Sequence, residues 1–242
     1  MSSYGQTIVQ LQAQLTRARY SDTDREYLAH TYGLAADLFT GQFRGSGKTF
    51  IAHLVGTASI LVAHGATAPL VAAGLLHAAY EQGDFGLGLS GRHVDKKTEL
   101  TRTVGEEAED YLERYFRLQW NRDTIMSLPA RAATLTVTEQ RVLLIRLANE
   151  LEDHLDLGIQ FCGNRAQRMA RMDALGEDAV ELARRLGYAA LAEELSTAFA
   201  DNRAAAVPLA LKGQEAYSSL RIPRSCARRY VSRVRAYLSK LQ

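Results

Sequence analysis

Arg44-Gly45-Ser46-Gly47-Lys48-Thr49-Phe50-Ile51-Ala52-His53 leads into an apolar run that stops at Gly65, and a second run, restarted by Thr67 and Pro69, closes on Leu75-Leu76-His77-Ala78-Ala79-Tyr80-Glu81. Ile51, Leu54, Val55, Ala58, Ile60, Leu61 and Val62 fit the 3.6-residue repeat of a helix; Gly65 readily takes the left-handed conformation that ends one, and Pro69 suits the first turn of the next. Leu70, Val71, Ala72, Ala73, Leu75 and Leu76 leave the second helix apolar nearly all round, the pattern of a central, buried helix. His77 therefore stands at the end of the core.

Helix periods also dominate on either side. Ile8, Leu11 and Leu15 mark an amphipathic N-terminal segment, and Ser21 with Asp24 three residues on reads as a cap before Tyr27, Leu28, Tyr32, Leu34 and Leu38. The glycines of Gly83 to Gly91 cannot hold a helix cheaply and predict a mobile loop. Further helices are expected over Val104 to Leu118, Thr138 to Leu157, Asp178 to Leu186 and Ala189 to Phe199, and a basic amphipathic one over Arg224 to Leu241. No alternating strand pattern stands out, so the fold class expected is all-α.

With 242 residues and 47% apolar content the chain can bury one sizeable core. A formal charge of +2 lacks the basic excess of a nucleic-acid binder, and Trp120, near Tyr111, Tyr115 and Phe116, reads as core rather than as a stacking platform. Cys162 and Cys226 form no Cys-x-x-Cys, which argues against a disulfide framework or a thiolate zinc site. No apolar run approaches the roughly 20 residues that span a bilayer, and Met1 to Gln6 lacks the features of a signal peptide. The expected setting is the cytoplasm.

Gly45-Ser46-Gly47-Lys48-Thr49 imitates the end of a phosphate-binding P-loop, but the required first glycine falls at Gln42, and a helix rather than a buried strand precedes it. The order of motifs instead resembles the HD superfamily, specifically the hydrolase domain of the RelA/SpoT alarmone enzymes. Arg44 to His53 is similar to that family's Arg-x-Ser-Gly-x-Pro-Tyr-Ile-x-His element, Leu75 to Gln82 to its Leu-Leu-His-Asp element, and Val142 to Asp153 to its Leu-Ala-Asp-Arg-Leu-His-Asn helix. The resemblance covers roughly Tyr27 to Leu157. It implies an N-terminal helical segment over 1–26, an HD-like helical bundle over 27–157 and a C-terminal helical extension over 158–242 packed on that core.

By the resemblance, the family's metal ligands fall at His53, His77, Ala78 and Asn149, and its acidic catalytic pair at Glu81 and Gln82. Three carboxylates are thus replaced, and the loss of two anionic ligands argues against manganese held in the family's geometry. Without them, Arg44, His53 and His77 are expected to grip a small anionic or phosphorylated molecule directly, with Tyr80 and Asn149 as further contacts and no cofactor. In the family the residue at Arg44 packs against a guanine base, which keeps a nucleotide among the ligands. Asp153, where the family has a nucleotide-contacting asparagine, is expected to repel phosphate.

Two alternatives accompany this reading. In one, His53, His77 and Glu81, with Asn149, hold manganese, iron or zinc and activate water or oxygen, or Glu81 serves as general base. In the other the chain is a retired enzyme scaffold making protein contacts through Arg224 to Leu241, a segment expected to dock on the core or build a homodimer rather than lie on a membrane. Most of Glu150, Glu152, Asp153 and Asp156 are expected to face solvent, as is His154, while His64 suits a helix end.

Overall fold

In a computed structural model, which describes residues 4–86, 93–211, 213 and 215–221, the helices begin where local hydrogen bonding dictates. Thr7 with Gln10, Ser21 with Asp24 and Thr136 with Glu139 form reciprocal capping boxes, each satisfying two amide donors that the first turn leaves free. They start α1 (Ile8–Arg17), α2 (Asp22–Phe39) and α8 (Val137–His154). Between them lie α3 (Phe50–Ala63), α4 (Ala68–Leu76), the single turn α5 (Ala79–Gln82), α6 (Val94–Arg117) and α7 (Arg122–Arg131). After α8 come α9 (Arg165–Arg185) and α10 (Ala189–Ala204). The fold is all-α, with one minimal sheet.

Nearly every residue of α3 and α4 is buried, as the apolar runs require, and the two helices cross closely because Gly74 has no side chain: a Cβ there would lie 2.4 Å from Leu61 Cδ1. Around this pair pack α1, α2, α6 and α8, with α10 on α8 and α9. Leu11 and Leu15 of α1 and Leu191 and Leu195 of α10 belong to the same buried cluster as Leu61 and Leu75, so the segments before 27 and after 157 share the core of the middle one. No helix among the described residues is long and apolar enough to cross a membrane.

Several elements were not legible. α7 starts on an Asn121 cap and carries Pro129, and α9 begins at Arg165, well before the expected Asp178. The helix expected from Val104 is the second limb of α6, which bends at Gly105 with φ of +78°. β1 (Gln42–Phe43) pairs antiparallel with β2 (Ser219–Leu220), tying the end of the described chain to the loop before α3. Residues with so little alternation are extended only because the partner segment reaches them. Leu87 to Gly91 of the glycine-rich loop, Cys226 and the basic segment Arg224 to Leu241 lie outside the described residues.

Candidate functional site

The P-loop look-alike is a turn. Arg44 N–H donates to the Lys48 carbonyl at 2.8 Å, Gly47 N–H donates back to Arg44 at 2.8 Å, and Gly47 takes φ of +85°. Thr49 then caps α3, with its hydroxyl accepting from Ala52 N–H. Lys48 does not face an open phosphate site: its ammonium pairs with the buried Glu152 of α8.

Glu152 also accepts from His53 Nδ1, one turn into α3. Gly56 makes this possible, since a Cβ there would sit 2.6 Å from Glu152 Oε1; the bare helix face lets the carboxylate lie against α3. His53 Nε2 faces His77 Nε2 at 3.3 Å, and His77 Nδ1 lies 2.9 Å from the Gly74 carbonyl, to which it donates. A continuous buried chain therefore runs from Lys48 through Glu152, His53 and His77 to the end of α4. Burial pushes the His77 pKa down to about 3, and the charges of His53, Arg44 and Arg146 act in the same direction against the Gly74 carbonyl. His77 is neutral at neutral pH, with its Nε2 lone pair directed at His53.

The acidic end of α8 departs from expectation. Glu150 and Glu152 are buried rather than solvated, because α8 packs against both α3 and α10. Asp153 forms an ion pair with Arg44, whose guanidinium lies 5.3 Å from the centre of the Phe50 ring. Burial opposes the Asp153 charge, but Arg44, His53, Arg168 and His154 outweigh it and hold the carboxyl well below its usual range. Asp153 is thus neutralised within the protein and does not stand as a free charge repelling phosphate, and Arg44 is not the unopposed cation expected. His154 is buried as well, donating from Nδ1 to the Glu150 carbonyl at 2.7 Å and packing edge-on against Phe199. His64 caps the end of α3, as anticipated.

A cavity of about 370 Å³ opens between the end of α4, the end of α6 and α8, bordered by Arg44, His77, Glu81, Asn149, Arg146 and Trp120. Glu81 is exposed there, one turn past His77. His53 does not line this cavity; it borders a smaller one of about 170 Å³ that shares Arg44 and Asp153. Tyr80 does not reach the site: it is buried, and its hydroxyl donates to Glu109 Oε1 of α6 at 2.5 Å. The helix breaks between α4 and α5 at His77–Ala78, and the short turn that follows packs on α6, which carries Tyr80 to that face instead. Trp120, expected in the core, lies at the cavity wall with the Arg146 guanidinium 5.1 Å from its ring.

Asn149 donates from Nδ2 to the Tyr115 hydroxyl at 2.8 Å, while its Oδ1 is buried without a partner. Arg146 donates to the same hydroxyl at 3.2 Å and pairs with Glu150, and its Nε is likewise buried without a partner. An unmatched acceptor and an unmatched donor thus border one cavity. Arg146 was missed because four residues of α8 separate nothing but charge from charge in sequence; only the packing of Tyr115 and Trp120 beside it reveals its role.

His53, Glu152 and Asp153 are the group of potential metal ligands found among the described residues, with ligand atoms within 4.8 Å of one another. Lys48 and Arg44 already neutralise both carboxylates. On the other face of His53 its Nε2 meets that of His77 at 3.3 Å, and Ala78 offers no donor atom.

Among known proteins, residues 34–119 match the family described as Domain of unknown function (DUF6817). The match runs from the second half of α2 through α6 and includes Arg44, His53, His77 and Glu81, but not Asn149 or the acidic end of α8. No curated protein matches the chain.

Proposed function

We propose that this chain is a degenerate HD-like protein that binds a small phosphorylated or otherwise anionic molecule in the cavity beside His77. The observation that carries this reading is the pair of buried, unpartnered atoms, Asn149 Oδ1 and Arg146 Nε, on one cavity wall. Leaving a buried polar group unpaired costs about 1–3 kcal/mol, which a ligand supplying a donor to Asn149 and an oxygen to Arg146 recovers. Arg44 and Arg146 are already ion-paired and Glu81 also borders the space, so Arg171, whose partner is a neutral carbonyl, is the cation left for an anion, and Trp120 and Phe116 offer flat apolar surface that suits a nucleotide-like ring. A thermal-shift survey of phosphorylated sugars, nucleotides and dicarboxylates, followed by calorimetry of those that bind, tests it. At least one compound is expected to bind, with affinity reduced about 10-fold by Asn149→Ala, the worth of one such hydrogen bond. A survey in which nothing binds, or in which affinity ignores both Asn149→Ala and His77→Gln, rules the reading out.

One observation favours a metal-dependent second reading: two Nε2 atoms 3.3 Å apart, each ring fixed through its other nitrogen. Zinc–imidazole bonds of about 2.0–2.1 Å allow one ion to touch both. With Asn149 as a third donor, and the exposed Glu81 outside the group of ligand atoms within 4.8 Å of one another, the set suits zinc or iron better than manganese, and a bound ion would supply Lewis acidity. Metal analysis of protein purified without affinity-tag metals, beside the His53→Ala, His77→Ala double variant, separates the two. Binding without metal predicts no stoichiometric ion in either; near-stoichiometric metal lost in the variant establishes the second reading.

A further inference from the structure

We infer that an anionic group is seated not on Arg44, His53 and His77 but in a neighbouring cavity, between Arg146 of α8 and Arg168 and Arg171 of α9. This deepens the binding reading above by locating the anion, but it rests on a different cavity and different residues. That cavity, of about 220 Å³, opens beside the first and shares Arg146, Asp153 and Arg171 with it. Arg168 and Arg171 are three residues apart on α9 and so project from one face.

The charges around this space do not cancel. Its two carboxylates are engaged, Glu150 with Arg146 and Asp153 with Arg44. Arg168 donates from Nε to Asn164 Oδ1 at 2.9 Å, and Arg171 donates to the Trp120 carbonyl at 3.3 Å; neither has a carboxylate partner among the described residues. Arg171 is therefore left with a neutral partner only, and Arg168 with a neutral hydrogen-bond partner and a share of the Asp153 charge, beside the buried and unpartnered Arg146 Nε. Guanidinium forks match the oxygen spacing of phosphate and carboxylate groups, and a partly enclosed site screens their charge less than open water does. In this reading a tetrahedral oxyanion is shared by the three arginines that border the cavity. Because Arg146 and Arg171 border both cavities, a ligand body beside Asn149 can place its anionic end here.

Inorganic phosphate alone is the probe, titrated calorimetrically at low, fixed ionic strength. Saturable binding is expected, weakened at least 10-fold by Arg168→Gln, Arg171→Gln together and changed less than twofold by Arg102→Gln, an exposed arginine of α6 outside both cavities. Arg171→Gln alone, at an exposed position, is expected to weaken it several-fold and guards against a folding defect in the double variant. Absence of phosphate binding, or affinity indifferent to both arginine variants, overturns the inference. So does loss on His77→Gln with the arginine variants intact, which moves the anion into the first cavity and leaves the proposed function standing. Arginine-dependent phosphate binding in a protein whose survey compounds all ignore Asn149→Ala would retain the subsite and remove the proposed function.

Discussion

Glu152→Ala is expected to lower the stability of the protein by about 3–5 kcal/mol, the cost of breaking a buried ion pair from one side. Its carboxylate is shared by the Lys48 ammonium and the His53 ring, whose Nδ1 otherwise has Asp153 Oδ1 at 3.7 Å, and the side chains of His53 and Glu152 are 0% and 1% exposed. Removing it strands a cation and an imidazole donor at the junction of α3 and α8, where Gly56 leaves no side chain to refill the space. Lys48→Met, Glu152→Leu together are expected to be less damaging than Glu152→Ala alone, because replacing both partners removes the unpaired charge as well as the pair. Urea denaturation of the two variants beside the parent checks this. A loss below about 1 kcal/mol for Glu152→Ala, the range of an exposed ion pair, would mean that the carboxylate is solvated and the relay to His77 does not hold.

Acid is expected to unfold the protein from a higher pH than ordinary carboxylate titration would bring. The unfolded chain protonates His77 near the ordinary histidine pKa of 6.5, whereas the folded ring resists protonation down to about 3. Between those values the unfolded state binds more protons, so stability falls as pH falls, with a slope of up to about 1.4 kcal/mol per pH unit. Asp153 adds to the same trend lower down. Its folded pKa is depressed, so the stability it contributes is present above the ordinary aspartate value of 3.8 and is lost as pH drops below that value. Denaturation midpoints measured from pH 7 to pH 4 are therefore expected to decline continuously, and His77→Gln is expected to flatten the decline between pH 6.5 and 4. A parent profile flat above about pH 5, or a variant with an unchanged slope, would show that His77 protonates freely in the folded protein.

Segments distant in the chain decide both the small sheet and the anion seat. Gln42 and Phe43 are extended only because Ser219 and Leu220 arrive beside them, and the seat depends on Arg168 and Arg171, which α9 brings next to Arg146. Neither pairing has a local signature, since the partners belong to separate elements, beyond the i to i+4 reach of a helix.

Periodicity and chain punctuation by themselves determined the all-α class, the buried α3 and α4, their stop at Gly65 and restart at Pro69, and the placing of His77 at the end of the core. Those features follow from local backbone preference and from which face of a helix is apolar, both written in residues a few positions apart. The protonation of His77, and the partners of both His53 and His77, were decided by tertiary structure alone. Glu152 and Asp153 read as solvated charges on α8, yet packing against α3 and α10 buries the first and partly buries the second, and the turn at Arg44–Lys48 meets them with the opposite charge. Tyr80 sits beside Glu81 in the chain and faces another helix in the fold. Electrostatic environment depends on every chain segment within a few ångströms, and adjacency in sequence specifies only the segment itself.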